Sequence, residues 1–370
     1  MTHRAAVLPG MNESLEVRDD IEIESPHAGE VKVRMGASGV CHSDLSIQNG
    51  TLYGGPAPLV CGHEGAGVVE EVGEGVTVVQ PGDHIVVSWV PQCGKCYFCR
   101  AGQPNLCEVG NTATMAGSLL DGTTRLTSQG APLHQMAATG TFSEYAIIPD
   151  ISVVKIEPDI DLKVAALVGC GVLTGVGAAL NTATIAEGDT VAVIGCGGVG
   201  LNVIQGARIA GAERIIAVDM VDSKLEMARQ FGATDTVNGG KGDAVSGVMD
   251  LTEQRGADVT FEVIGLEVTI QQAFSMARRG GQAILVGVPP MDVMVTVPAM
   301  IGLIVAEKTV KGCWYGSSDV RRDVPRLIEL YRNGALKLDE LISREIKLDA
   351  INDAFEAMKT GEVARSVVVY

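Results

Sequence analysis

Thr190-Val-Ala-Val-Ile-Gly-Cys-Gly-Gly-Val-Gly-Leu-Asn-Val-Ile-Gln-Gly-Ala-Arg-Ile-Ala210 runs from a short apolar strand through a glycine-punctuated turn into an apolar helical pattern. A strand with no polar alternation is one buried on both faces, as in a parallel sheet. The turn reads Gly195-Cys-Gly197-Gly198-Val199-Gly200, a G-x-G-x-x-G pattern that means little alone but gains content from the strand before it and the helix after it. Gly195 permits the tight turn, Gly197 lets backbone approach a pyrophosphate, and Gly200 lets helix and sheet pack closely. The helix start at Gly198 and Val199 offers free amides and the positive end of a dipole to phosphate. Asp219, closing the next apolar run Ile215-Ile-Ala-Val218, can accept from the ribose hydroxyls and would repel a 2′-phosphate, which favours NAD over NADP. Lys224 is a further candidate for a ribose or adenine contact, with a plainly solvated lysine as the alternative.

Working outward, strand and helix patterns alternate: helix over Val199 to Ala210, strand Ile215 to Val218, helix Ser223 to Phe231, strand Val259 to Val263, helix Ile270 to Ala277, strand Ala283 to Val286. This alternation is that of a doubly wound parallel α/β sheet. The first 85 residues differ, with period-two runs such as Glu30-Val-Lys-Val-Arg-Met35, Gly67-Val-Val-Glu-Glu-Val72 and Gly82-Asp-His-Ile-Val-Val87 bounded by turns, the texture of an antiparallel, barrel-like domain. Helices are expected over Val324 to Asn333 and Ala350 to Thr360, and a final strand, Ser366-Val-Val-Val-Tyr370, could return to the first domain. A chain of 370 residues, 46% hydrophobic, is long enough for two such domains.

The formal charge of −17 argues against nucleic acid and anionic membrane as partners. The first ten residues contain no apolar leader, and no run of about 18 apolar residues without charge is expected, so a cytoplasmic protein is predicted. Nine cysteines, an odd number, fit a reducing compartment.

Four of those cysteines, Cys93-Gly-Lys-Cys96-Tyr-Phe-Cys99 and Cys107, have the spacing of a closed tetrathiolate zinc site. Two disulfides or an iron–sulfur cluster are the competing uses. A site with no open position holds structure and does no chemistry, so a reactive metal needs other ligands. Cys41, His63, Glu64 and Cys170, within Cys41-His-Ser-Asp44, Gly62-His-Glu-Gly65 and Gly169-Cys-Gly171, offer two thiolates, an imidazole and a nearby carboxylate. Taken singly, each is more often a core residue. Cys61, Cys196 and Cys313 read as small buried residues, and His3, His27, His84 and His134 suggest no partner.

Together these segments, with Pro91-Gln-Cys-Gly-Lys-Cys96, Asn105-Leu-Cys107 and Val286-Gly-Val-Pro-Pro290, make the chain resemble the zinc-dependent medium-chain alcohol dehydrogenases over essentially its full length. The insert Leu120-Asp-Gly-Thr-Thr-Arg125, followed by Gly140-Thr-Phe-Ser-Glu-Tyr145, is similar to the animal-liver and formaldehyde-dehydrogenase branch. The resemblance implies a GroES-like β-rich catalytic domain, residues 1–172 and 315–370, around a Rossmann cofactor domain, residues 173–314. It implies two zincs per chain: a catalytic one on Cys41, His63 and Cys170, with Glu64 able to approach it, and a structural one on the four-cysteine lobe. Zinc would ease removal of the alcohol proton, and hydride would pass to the nicotinamide of NAD. Ser43 matches the hydroxyl that takes that proton, Asp44 the acceptor that orients His63, Thr174 and Val288 residues beside the nicotinamide, and Trp89 an aromatic wall close to zinc.

The departures are informative. Ser46 stands where the liver enzymes end their proton relay in histidine, and His42 where an arginine often meets pyrophosphate; Arg365 matches the C-terminal arginine near pyrophosphate and Glu64. Glutathione-adduct enzymes carry a basic residue soon after the fourth lobe cysteine, whereas Cys107 is followed by Glu108-Val-Gly-Asn-Thr-Ala-Thr114 and the next arginine is Arg125. The expectation is therefore reversible oxidation of a small or unbranched primary alcohol to an aldehyde. Oxidation of a formaldehyde–thiol adduct, of mycothiol more than glutathione, is the alternative, and a non-catalytic NAD-binding protein the alternative from another class. A further resemblance is to bacterial members that keep nicotinamide bound through turnover. The apolar stretch Val295 to Val305 is expected to supply a sheet edge for a homo-oligomer, dimer or tetramer.

Overall fold

The computed structural model describes residues 2–360 and 364–370, with Thr360 described in its backbone only. Of the expected elements, the end of the last helix at Thr360 therefore falls partly outside the described residues. The chain divides into two compact units, Met1–Gly171 with Asp319–Gly334 and Leu338–Tyr370, and Val172–Ser318 with Ala335–Lys337.

The first unit is β-rich. Thr2–Leu8, Glu16–Ile23, Leu126–Ser128, Ala131–Gln135 and Leu59–Val60 close a small barrel. A seven-stranded sheet runs Val153–Ile156, His84–Val87, Glu64–Val72, Glu30–Val40, Arg365–Val369, Ile342–Ile346, with Tyr145–Pro149 also pairing to Glu30–Val40. Period-two alternation explains these strands, because one face of each packs on Val31, Val33, Val69, Ile85 and Val87 in a common core. The C-terminal strand does return here: Ser366 pairs with Val40 and Val369 with Ala37, antiparallel. That pairing joins residues more than three hundred positions apart, which no local pattern can specify.

The second unit is a six-stranded parallel sheet in the order Asp235–Asn238, Arg214–Asp219, Thr190–Ile194, Ala257–Glu262, Ala277–Leu285, Thr309–Gly312. Helices Gly198–Ala210, Asp222–Phe231, Ala244–Leu251 and Glu267–Met276 connect successive strands. The order reverses beside Thr190–Ile194, the switch point at which open α/β sheets bind ligands. Two helices end on left-handed glycines, Gly211 at φ 96° and Gly232 at φ 117°.

Two expectations need correction. The apolar stretch Val295 to Val305 is not a strand; Pro298, which has no amide to donate, opens a π-helical turn at Ala299–Ile304, and the sheet edge is Thr309–Gly312. One helical run, Leu162–Thr182, is long and apolar enough to cross a membrane by length and composition, with a hydropathy of 1.8, although no such run was expected. Burial of 83% of its most apolar window marks it as a core helix, which passes the same test.

Candidate active site

Three elements of the first unit place four buried donors together. Cys41 ends the long strand Glu30–Val40 and caps the helix His42–Gln48; His63 and Glu64 open the strand Glu64–Val72; Cys170 lies in a π-helical turn, Val168–Val172. Such turns displace a residue from regular helical phase and recur at functional sites. One ligand atom from each of Cys41, His63, Glu64 and Cys170 lies within 4.8 Å of the others, and all four residues are buried.

Asp44, wholly buried, organises this cluster. Its Oδ1 accepts from His63 Nδ1 at 3.1 Å and from the Gly62 amide at 3.2 Å, and its Oδ2 accepts from the Cys41 amide at 3.0 Å. One carboxylate thus fixes the ring of one donor and the backbone at another, leaving His63 Nε2 for a metal. Burial alone would lower the His63 imidazole, yet the Asp44 carboxylate and the Cys41 sulfur hold it above its usual range. The adjacent Cys170 thiol holds Cys41 well below the usual thiol range, helped by Arg365 and His63, and Cys170 is pushed up in turn. Burial raises Glu64 to about 7, with the Arg365 guanidinium opposing it from 3.1 Å as an ion pair that lacks hydrogen-bond alignment. A Cβ on Gly39 would strike Glu64 Oε2 at 2.2 Å and one on Gly171 would strike Arg365 Nη2 at 2.1 Å, so both glycines are required by the charged pair beside them. A dry pocket of soft thiolate, imidazole and carboxylate with one arginine is chemically incomplete without a cation, and the donor set suits zinc.

Around the cluster, Trp89 is half-buried and meets the His63 ring edge-on, centroids 6.1 Å apart at 82°. Ser43 lies half-buried in the first turn of the helix, its Oγ 3.9 Å from Cys41 Sγ; His42 is exposed at the start of that helix, and Ser46 is half-buried. The second donor set is complete too: the sulfurs of Cys93, Cys96, Cys99 and Cys107 all lie within 4.8 Å of one another. The Cys93 amide donates to Cys107 Sγ at 3.4 Å, and the amides of Cys99 and Glu108 hold the Cys96 thiol down to about 6. Amides aimed at sulfur stabilise thiolate, the form that binds metal.

In the second unit, Gly195 takes φ 97° and leads to Gly197, whose absent Cβ would meet nothing within 4 Å, so the turn is open where a pyrophosphate would lie. At Gly200 a Cβ would lie 1.8 Å from the Gly195 carbonyl oxygen, and only glycine fits. Gly198 and Val199 form the first turn of the helix above an extended Gly197. Asp219 does more than face a ribose: Oδ2 accepts from the Cys196 amide at 2.8 Å and Oδ1 from Met220 and Val221 at 2.7 and 3.1 Å, tying strand end to glycine loop. Lys224 and Thr174 are half-buried, and Val288 is 48% exposed. These residues fit a dinucleotide at the switch point.

Sequence reading passed over Glu262. It is wholly buried at the end of Ala257–Glu262, and its Oε1 accepts from Ile264, Gly265 and the Thr269 hydroxyl at 2.7–2.8 Å. A Cβ on Gly265 would meet Val288 at 2.6 Å, so Glu262 shapes the loop against which Val288 packs. Its signal was an acid at the end of a buried parallel strand, the position Asp219 also occupies. His3 and His134, which had suggested no partner, meet Ser143 Oγ at 2.8 Å and the Gly117 carbonyl at 3.2 Å. Cys61, Cys196 and Cys313 are buried and free, as expected.

A parallel nucleotide-binding sheet, an antiparallel unit holding a buried thiolate–imidazole cluster and a separate tetrathiolate lobe define a zinc- and nicotinamide-dependent dehydrogenase. Comparison with known proteins agrees. Residues 27–158 match the alcohol dehydrogenase GroES-like domain and residues 198–333 the zinc-binding dehydrogenase domain. The chain is 41% identical to S-(hydroxymethyl)glutathione dehydrogenase of Haemophilus influenzae, over 99% of this chain and 97% of that protein. Among solved structures, an alcohol dehydrogenase zinc-binding domain protein from Burkholderia ambifaria superposes with a TM-score of 0.95 at 32% identity, covering 100% of this chain and 99% of that one. Benzyl alcohol dehydrogenase from Acinetobacter calcoaceticus does so at 0.94 and 30%, with the same coverage. The chain belongs to the zinc-dependent medium-chain alcohol dehydrogenase family, in its formaldehyde-dehydrogenase-like branch. It is an NAD-dependent zinc enzyme, which sets aside the non-catalytic reading.

Proposed function

We propose that the enzyme oxidises small or unbranched primary alcohols to aldehydes, reversibly. The observation that carries this reading is Trp89, whose ring packs edge-on against His63 and leaves a narrow apolar approach to the donor cluster. Cys41, His63 and Cys170 would hold the catalytic zinc, with Glu64 as an exchangeable fourth donor, and the four-cysteine lobe the structural one. When bound, zinc supplies Lewis acidity toward the alcohol oxygen, and NAD accepts the hydride. Ser43 takes the alcohol proton, and Ser46 or water carries it on. Asp44 keeps the His63 ring in register. Gly195 to Gly200 and Asp219 would hold pyrophosphate and ribose, Lys224 the ribose or adenine, and Thr174 and Val288 the nicotinamide; His42 and Arg365 supply positive charge to the pyrophosphate.

A second reading is favoured by the relatives' substrate, S-(hydroxymethyl)glutathione, which presents the same CH2OH group on a thiol carrier. Against glutathione, the helix Glu108–Ala116 after the lobe carries no cation, and Arg125 is buried in ion pairs with Glu30 at 2.7 Å and Asp121 at 2.5 Å. A carrier that needs no carboxylate anchor there, such as mycothiol, remains compatible. NADH formation by the zinc-replete enzyme across a primary-alcohol series, with formaldehyde alone and with thiols in parallel, tests both readings. Turnover of alcohols without thiol supports the first; activity only with formaldehyde plus a thiol replaces it with the second.

The same proposal includes a homo-oligomer. Thr309–Gly312 leaves a sheet edge, and Met300, Ile301 and Ile304 beside it are 71–75% exposed, a costly apolar patch for a monomer in water. Nine free cysteines support a reducing, cytoplasmic setting.

A further inference from the structure

The glycine loop and Asp219 lie at the C-terminal ends of the parallel strands. The opposite end of the same sheet holds an open cleft of about 600 Å³, a size suited to a small ligand. Four of its eight lining residues, Arg255, Arg278, Arg279 and Lys308, are cationic and none is acidic, in a chain with 28 basic against 45 acidic residues. Topology gathers them: Arg255 precedes the strand Ala257–Glu262, Arg278 and Arg279 begin Ala277–Leu285, and Lys308 precedes Thr309–Gly312. Strands of five or six residues separate this cleft from the glycine loop by about 16 Å.

Only part of the charge is compensated. Arg278 Nε donates to Asp258 Oδ1 at 2.5 Å. Lys308 Nζ donates to the Phe274 carbonyl at 2.8 Å and sits 4.8 Å from that ring's centroid. The carbonyl belongs to the last turn of Glu267–Met276, so helix capping accounts for Lys308 in part. It does not account for Arg255 and Arg279, whose guanidinium groups make no hydrogen bond or ion pair among the described residues; Asp258 acts on Arg255 only through space. Burial with no carboxylate beside it holds the Lys308 ammonium below its usual range. Arg255 is also delivered by an unusual backbone, Glu253 at φ 52° and Gln254 at φ 63°, both left-handed without being glycine.

We propose that this cleft is a second anion site, which binds a small multivalent phosphate group through Arg255, Arg279 and Lys308. Guanidinium forks match phosphate oxygens in pairs, and a multivalent anion would relieve the repulsion among cations that Asp258 alone leaves unbalanced. Gln254 and Ser275 on the lining can supply further polar contacts.

The test is calorimetric titration of the zinc-replete full chain, saturated with NADH so that its own pyrophosphate position is filled, with inorganic pyrophosphate and separately with AMP. One saturable pyrophosphate site per chain is expected, weakened about tenfold or more in an Arg255→Gln/Arg279→Gln double variant. AMP binding that is lost in the same variant also supports the site and identifies a phosphorylated metabolite as its source. Both replaced side chains are exposed and unpartnered, so thermal midpoint and NADH affinity should stay at wild-type values. Absence of binding by either anion, or equal binding by the double variant, overturns the proposal; so does capture of an acidic peptide with no response to either anion.

Discussion

Replacing Asp44 tests whether the donor cluster is held by one buried carboxylate. Three donors depend on it: the His63 ring and the amides of Gly62 and Cys41. Asp44→Ala removes all three acceptors and leaves two buried amides unpaired, at about 1–3 kcal/mol each, so a loss of roughly 2–6 kcal/mol in stability is expected. Freed of its partner, His63 loses its fixed tautomer and orientation, which lowers metal affinity by about 10–100-fold. Asp44→Asn keeps the shape but must turn its amide nitrogen toward one of the donors. It should cost about 1–3 kcal/mol and sit at the lower end of the affinity loss. Chelator competition with zinc counted per chain is the assay, because it separates the two metals. The variants should release the zinc of the Cys41 cluster at chelator concentrations that leave the four-cysteine lobe loaded. If both zincs of Asp44→Ala resist chelator as in the unmodified enzyme, Asp44 does not position the ligand and the reasoning fails.

Ser43→Ala should slow hydride transfer by about 100-fold or more while zinc content stays unchanged; an unaltered single-turnover rate with deuterated alcohol would remove Ser43 from the proton path. Asp219→Gly should shift preference toward NADP by removing the charge that repels a 2′-phosphate, but it also frees the Cys196 amide, so NAD affinity should fall as well; the ratio of kcat/KM for the two cofactors is the readout. Arg125→Met breaks a pair in which Glu30 is also buried, and a loss of about 3–5 kcal/mol is expected from the urea midpoint. Alcohol activity at a temperature where the variant is folded should be unaffected, since Arg125 serves the barrel and no substrate.

Much of the molecule was legible because its signals are local. The parallel unit follows from apolar strands of uniform burial joined to helices, and the glycine loop from a turn in which Gly200 admits no side chain. The four-cysteine lobe was legible for the same reason, its ligands lying within fifteen consecutive residues, from Cys93 to Cys107. Glu262 escaped because its importance lies in three hydrogen bonds to a loop it precedes, and an acid at a strand end has no pattern of its own. The misplaced sheet edge has a similar origin: apolar composition at Val295 to Val305 resembles a strand, but Pro298 and the pairing of Thr309–Gly312 with Ala277–Leu285 decide the outcome.

The sequence by itself determined residue chemistry and local geometry: which side chains can bind zinc, where a turn needs glycine, which runs form strands. Only the tertiary structure decided that Cys41, His63, Glu64 and Cys170, drawn from three distant segments, converge within 4.8 Å, and that Arg365 comes to lie against Glu64. The physical reason is that convergence depends on non-local pairing. The strand Arg365–Val369 must find Glu30–Val40 before its arginine can neutralise a carboxylate, and the closure entropy and burial that govern that encounter belong to the whole fold.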